Sequence, residues 1–205
     1  MNIKIIAIFL VLLLSPYTSV MAKNFGYNYF GFDFGSINYN DTISYNGYDF
    51  DTFGTFNLYG SLTRDDHIAL LFSINGEGAD SPNGNTTLST AAVNFDIKII
   101  NSFYATDLNF AFGLISLTEE ACINNFCASA DDSGYKLQFE VRHALNLATE
   151  LFVDLMRQDL DYLGKNSTMT FGTAFNFTPN SSLRLSIAKS KYQDVSTSFG
   201  YRYSY

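Results

Sequence analysis

From Tyr27 to Tyr205 apolar and polar residues alternate with a period of two, the spacing of strands whose faces differ. Ten segments carry the pattern: residues 27–37, 50–63, 68–75, 88–100, 107–117, 134–141, 149–157, 168–178, 182–190 and 195–205. It is sharpest in the last, where Val195, Thr197, Phe199, Tyr201, Tyr203 and Tyr205 alternate with Ser196, Ser198, Gly200, Arg202 and Ser204. Only RHALNLATELFVDLMRQDL (residues 142–160) competes as a helix, through Leu145, Leu147, Leu151 and Leu155. Leu151, Val153 and Leu155 set against Glu150, Phe152 and Asp154 also make a strand, and the neighbouring strands favour that reading.

The connections alternate in kind. RDDH, NSFYAT, HALNLA and TPNSS are short, whereas NYNDTISYNGYD, GEGADSPNGNTT, TEEACINNFCASADD and DLDYLGKN are longer and rich in Asn, Gly and Asp. The last connection, KYQD, is short again. Short turns on one side and longer loops on the other are the signature of an outer-membrane up-and-down barrel. The segment lengths lie near the roughly 9–11 residues a tilted strand needs to cross the apolar layer. The pattern therefore predicts an all-β fold, a transmembrane antiparallel up-and-down β-barrel of ten strands, with eight as the alternative if two segments are loop extensions.

Sidedness needs more than alternation. One face carries Phe30, Phe32, Phe34, Phe72, Phe95, Phe110, Phe112, Phe139, Phe171, Leu183 and Ile187. The other carries Asp33, Asp96, Lys98, Lys136, Glu140, Arg142, Glu150, Asp154, Arg184 and Arg202, with Asn94, Asn109 and Gln138. A soluble sandwich or lipocalin turns its apolar face inward, and an outer-membrane barrel turns it to lipid. Three features favour the second arrangement. Small residues (Ala92, Ala111, Gly113, Gly172, Ala174, Ala188, Gly200) lie on the charged face, as a narrow interior requires. The last strand, with Phe199, Tyr201, Tyr203 and Tyr205 toward a periplasmic aromatic girdle, gains most by closing onto the first. Such a terminal strand is also the kind read by the barrel-assembly machinery.

The third feature is export. Lys4, the apolar run at residues 5–14 and Val20-Met21-Ala22 form a signal peptide with cleavage expected after Ala22. This divides the chain into residues 1–22, the signal, and residues 23–205, the barrel. The apolar run is too short to span a bilayer as a helix, and no Cys near the cut suggests a lipoprotein. Export gives Cys122 and Cys127, the two cysteines, an oxidising context, and the expectation is a disulfide closing the third outer loop. No soft ligands nearby point to a metal instead.

Composition agrees with a membrane barrel. Aromatics make up 17% with Phe 20, Tyr 14 and Trp 0, and charged residues only 16%, against about 25% in ordinary domains. The net charge of −8 and the lack of a Lys/Arg cluster exclude a nucleic-acid surface.

GYKLQFEVRHALNLATELFVDLMRQDLDYLG and STMTFGTAFNFTPNSSLRLSIAKSKYQDVSTSFGYRYSY resemble a family of small porin-like outer-membrane barrels of Gram-negative bacteria, with FTPNSSLRL and FGYRYSY the closest stretches. FGFDFGSINY and FGTFNLYGSLTRDDHIALL fit the same pattern. The resemblance implies a fold and an outer-membrane location, and it brings no catalytic or ligand-binding residue with it.

The charges of the polar face nearly balance, which suits a salt-bridged interior that is plugged or conducts narrowly. Catalysis lacks candidates. His67 and His143 both map to the short-turn end, and no catalytic, cofactor or metal residue is assigned. The acidic loop residues Asp41, Asp49, Glu77, Asp80, Glu119, Glu120, Asp131, Asp132, Asp159 and Asp161 read chiefly as solvated; divalent cations bridging them to lipopolysaccharide phosphates are the alternative. NDT, NTT, NST and NSS match the glycosylation sequon by chance in a bacterial barrel. Arg157 and Lys189 fall on the lipid parity near outer loops, where their heads can reach lipid headgroups. The expected role is a monomeric porin-like or envelope-structural barrel whose partners are outer-membrane lipid and lipopolysaccharide. The alternative is a surface interaction protein acting through its loops.

Overall fold

A computed structural model describes residues 25–205 except 83, 125 and 192, and leaves the side chains at 65 and 194 undescribed; the signal expected at residues 1–22 lies outside the described residues. Ten strands follow in order: β1 (Tyr29–Tyr45), β2 (Tyr48–Asp65), β3 (Ile68–Asp80), β4 (Thr86–Phe103), β5 (Thr106–Ile123), β6 (Phe126–Ala144), β7 (Thr149–Leu160), β8 (Gly164–Thr178), β9 (Ser181–Ser190) and β10 (Gln193–Ser204). Each pairs antiparallel with its sequence neighbours, and β10 pairs with β1 from Tyr29↔Ser204 to Tyr39↔Gln193, so the sheet closes into a barrel. Closure pairs the edge that a terminal strand otherwise leaves open.

The barrel is inside out relative to a soluble protein. Along β4, Ala92, Asn94, Asp96, Lys98 and Ile100 are buried, while Val93, Phe95, Ile97 and Ile99 stand about half exposed. Phe30, Phe34, Phe72, Phe110, Phe112, Leu114, Phe139, Leu185, Ile187 and Phe199 continue the exposed band around the wall. An apolar belt of this extent is a lipid-facing surface, and a polar interior behind it is the arrangement of outer-membrane barrels. The protein is an integral outer-membrane β-barrel.

The outer connections differ from expectation. Residues 38–49 and 118–132 read as loops in the sequence, yet β1 and β2 run on to Tyr45 and Tyr48, and β5 and β6 to Ile123 and Phe126. Their Thr, Ser, Tyr and Ile favour extended backbone, and ladder pairing satisfies that backbone outside the bilayer as well as within it. The first hairpin turns on Asn46 and Gly47, both at positive φ, as a type I′ turn requires. The third turns between Ile123 and Phe126. There the disulfide joins Cys122 and Cys127, which face each other directly across β5 and β6. The wall is consequently uneven: β4, β5 and β6 span 18, 18 and 19 residues, against 12, 10 and 12 for β7, β9 and β10. The first strand also starts later than the pattern suggested. Tyr27 precedes β1 and enters the lumen with Phe25.

Ile97→Arg, in the middle of the apolar belt, is expected to cost about 2–4 kcal/mol of barrel stability in lipid; equilibrium urea unfolding in vesicles measures it. Reducing Cys122–Cys127 is expected to speed amide exchange at the β5–β6 tip alone, leaving the barrel below it protected.

Candidate functional site in the barrel lumen

The interior is stacked in three layers, each traceable to residues of the inward parity. At the periplasmic end Phe25 and Tyr27 are buried against Ala69, Ile100 and Ala144, with Tyr29, Leu71 and Ala105 packed around them. These small and apolar inward residues leave space for the two rings. Tyr27 Oη donates to Asp107 Oδ2 at 2.6 Å and to Asn109 Oδ1 at 3.1 Å. The Arg142 guanidinium lies 4.5 Å from the Phe25 ring centroid and 5.2 Å from that of Tyr27, within cation–π range. Asn28 fastens the segment to the wall: its Oδ1 accepts from Thr63 N and Oγ1, and its carbonyl accepts from Tyr205 N. The segment is a stopper.

Above it lies a belt of ion pairs. Lys98 Nζ is 2.8 Å from Glu140 Oε2, and Lys136 Nζ is 2.7 Å from Asp96 Oδ2. Glu150 is clamped by two arginines, Arg142 at 2.7 Å and Arg202 at 3.2 Å. Arg184 and Asp33 are 3.9 Å apart, and the Arg184 guanidinium also sits over Phe152 at 4.7 Å and Tyr59 at 5.2 Å. Of the ten charged residues singled out on the polar face, nine meet an opposite charge. Asp154 does not: Gln138 Nε2 donates to its Oδ2 at 2.5 Å, and no cation pairs with it among the described residues. Pairing is what such burial demands, because an unmatched charge in a low-dielectric interior costs several kcal/mol.

Glycines let the pairs fit. A Cβ on Gly113 would collide with the Asp96 carboxylate, and one on Gly200 with that of Asp33. Each carboxylate leans across a neighbouring strand at the one place where that strand has no side chain.

The third layer is a cavity of about 490 Å³. Its floor includes Lys98, Glu140 and Arg184, and its walls mix amides and hydroxyls, among them Asn57, Asn75, Gln158 and Ser198, with apolar side chains such as Ile115 and Leu117.

Several of these residues are not evident from a search for charge. Tyr59 and Phe152 are aromatics on the polar parity, exceptions to the alternation that mark where an arginine needs a flat partner. Asp107 shares its parity with Asn109. Phe25 and Tyr27 precede the strand pattern and leave no periodic trace.

The remaining sequence candidates lie elsewhere. His143 Nδ1 and Thr106 Oγ1 are 2.8 Å apart beside the β4–β5 turn, and His67 lies in the β2–β3 turn, so both histidines belong to the lower rim. Tyr201 and Tyr203 stack on Phe32 and Phe30 across the β1–β10 seam, at 5.9 and 5.6 Å. Phe199 pairs in register with Phe34, and Tyr205 is exposed.

Glu150→Gln leaves two buried guanidinium groups with one neutral partner and is expected to cost about 3–5 kcal/mol. Lys98→Met with Glu140→Leu removes both charges of a pair together and is expected to be close to neutral. Urea unfolding of the two variants side by side distinguishes these outcomes.

No protein-family model matches the sequence, and no curated protein matches it. Among solved structures the chain is similar to the beta domain of the Bordetella autotransporter BrkA, at 13% identity and a TM-score of 0.47, over 87% of this chain and 99% of that one. It is similar to the outer membrane protein OprG from Pseudomonas aeruginosa at 9% identity and a TM-score of 0.45, over 88% and 97%. The attachment invasion locus protein Ail of Yersinia pestis gives 12% identity and a TM-score of 0.43, over 87% and 99%. The membrane assignment stands on the chain's own exterior.

Proposed function

We propose that this barrel is a porin-like pore for small hydrophilic solutes, held shut at its periplasmic mouth by its own segment Phe25–Asn28. The observation that carries the reading is the junction of the upper two layers with the lowest. A cavity of mixed polar and apolar lining leads down to paired charges, and the way out is filled by two aromatic rings under Arg142. The rings belong to a short segment outside the sheet, so displacing them breaks no strand ladder. With Asp107 and Glu77 added, seven inward acids face five inward bases among the described residues, so an opened lumen favours cations modestly. We assign no catalytic step, since both histidines lie at the lower rim away from the cavity.

A second reading draws on the tall side of the wall. The β5–β6 ribbon ends in a disulfide-tied tip where Phe126 is 85% exposed, a contact surface suited to a neighbouring envelope or host component.

Single-channel recording of the barrel in planar bilayers tests the first reading. The wild type is expected to be silent or to open rarely. Phe25→Ala with Tyr27→Ala is expected to give discrete steps, and adding Arg184→Glu is expected to shift them toward cation selectivity. A folded double variant that stays silent removes the stopper as the gate. Loss of a binding phenotype on Phe126→Ser with conductance unchanged would instead support the tip.

A further inference from the structure

The cations outside the lumen are not spread around the barrel. Among the described residues they are Arg64 at the lower rim and Arg157, Lys165, Lys189 and Lys191. The last four are exposed and lie on β7, β8, β9 and the turn after β9, three neighbouring strands on the low side of the wall. Most of the exposed acids, Asp41, Asp49, Asp51, Asp80, Glu119, Glu120 and Asp131, lie on β1–β6. Within the basic region Asp159 answers Lys165 at 3.3 Å and accepts from Tyr135 Oη at 2.9 Å, and Asp161 is exposed in the adjoining turn.

Arg157 lies two residues before Asp159 on the same face of β7, and Lys189 lies on β9 across β8. Arg157 faces Ser167 on β8, and Lys189 faces Met169 on the same strand. Their stems therefore rise on either side of β8, roughly 12 Å apart given the strand spacing and the two-residue offset, with Ser167 opposite one and Met169 opposite the other. Below them the outer wall is indented. A groove of about 320 Å³ is lined by Phe110, Leu137, Phe139, Leu155 and Met169, with Arg157 and Lys189 at its outer end. An apolar slot running down into the belt and two cations at its headgroup end have the outline of an amphiphile with an anionic head.

We propose that this face of β7–β9 binds lipopolysaccharide of the outer leaflet, Arg157 and Lys189 holding a phosphate of its lipid A while one acyl chain lies in the groove. The arginine fork matches phosphate oxygens in two places, and the lysine adds a point charge. The complementarity is electrostatic at the head and apolar at the tail, which is why a phosphorylated glycolipid fits where a free anion or a neutral lipid meets only half the site. The site is separate from the lumen, so it stands whether or not the stopper gates a pore.

The test is titration of the detergent-solubilised barrel with bis-phosphorylated lipid A, followed by native mass spectrometry. The wild type is expected to retain a single lipid A, and Arg157→Gln with Lys189→Gln to weaken binding by about tenfold or more. Lys189→Arg is expected to hold it, and Arg64→Gln to change nothing. Phosphate-free lipid A is expected to bind as weakly as the double variant shows, and millimolar inorganic phosphate to compete poorly. Equal binding by wild type and double variant overturns the proposal, as does equal binding of lipid A with and without its phosphates. Displacement by inorganic phosphate alone overturns it in favour of a simple anion site. Heat-modifiable gel mobility identifies folded variants, and either single substitution serves if the double does not fold.

Discussion

Hydrocarbon offers no hydrogen-bond partner to a peptide group, and this structure follows from that one fact. Every amide in the belt has to be satisfied within the sheet, so β1 must meet β10, and meeting it forces the chain into a ring. A ring of ten strands has an inside too narrow to be filled by water alone and too polar in sequence to be filled by hydrocarbon side chains. Charges put there must therefore find each other. The belt of ion pairs is a consequence of closure, and it explains why residues distant in sequence, such as Glu150 and Arg202, come into contact.

Small residues then become as specific as charged ones. Gly113 and Gly200 have ordinary extended backbone; what they supply is vacancy, a place for a carboxylate from the next strand to lie. Gly172 does the same for Phe152, whose ring occupies the position its Cβ would take. Sequence alternation alone assigns these glycines to the polar face without saying what leans over them.

Much of the fold was legible in the sequence because a barrel strand writes its environment into every second residue. The ten strands, their order and the charged face follow from parity alone. What parity misses has a physical reason in each case. The outer ribbons lie in water on both faces, so nothing enforces alternation there, and residues 38–49 and 118–132 read as loops although β1, β2, β5 and β6 run on into them. Asn46-Gly47 is a local signal of a tight hairpin within the first of these stretches. Phe25 and Tyr27 lie outside the sheet and carry no period at all. The stopper they form depends on the hole beneath Arg142, which exists only once Ala69, Ile100 and Ala144 are brought around it.

The unequal height of the wall gives the barrel a direction across the membrane plane. On the side of β4–β6 the strands stand as a screen, acidic on its exposed face, that keeps neighbouring molecules at a distance from the mouth. On the side of β7, β9 and β10 the strands are short and the rim sits low. A molecule reaching the cavity mouth over β7, β9 or β10 meets short strands, and from the side of β4–β6 it has to pass over the longer ribbons. The approach to the mouth is thus one-sided.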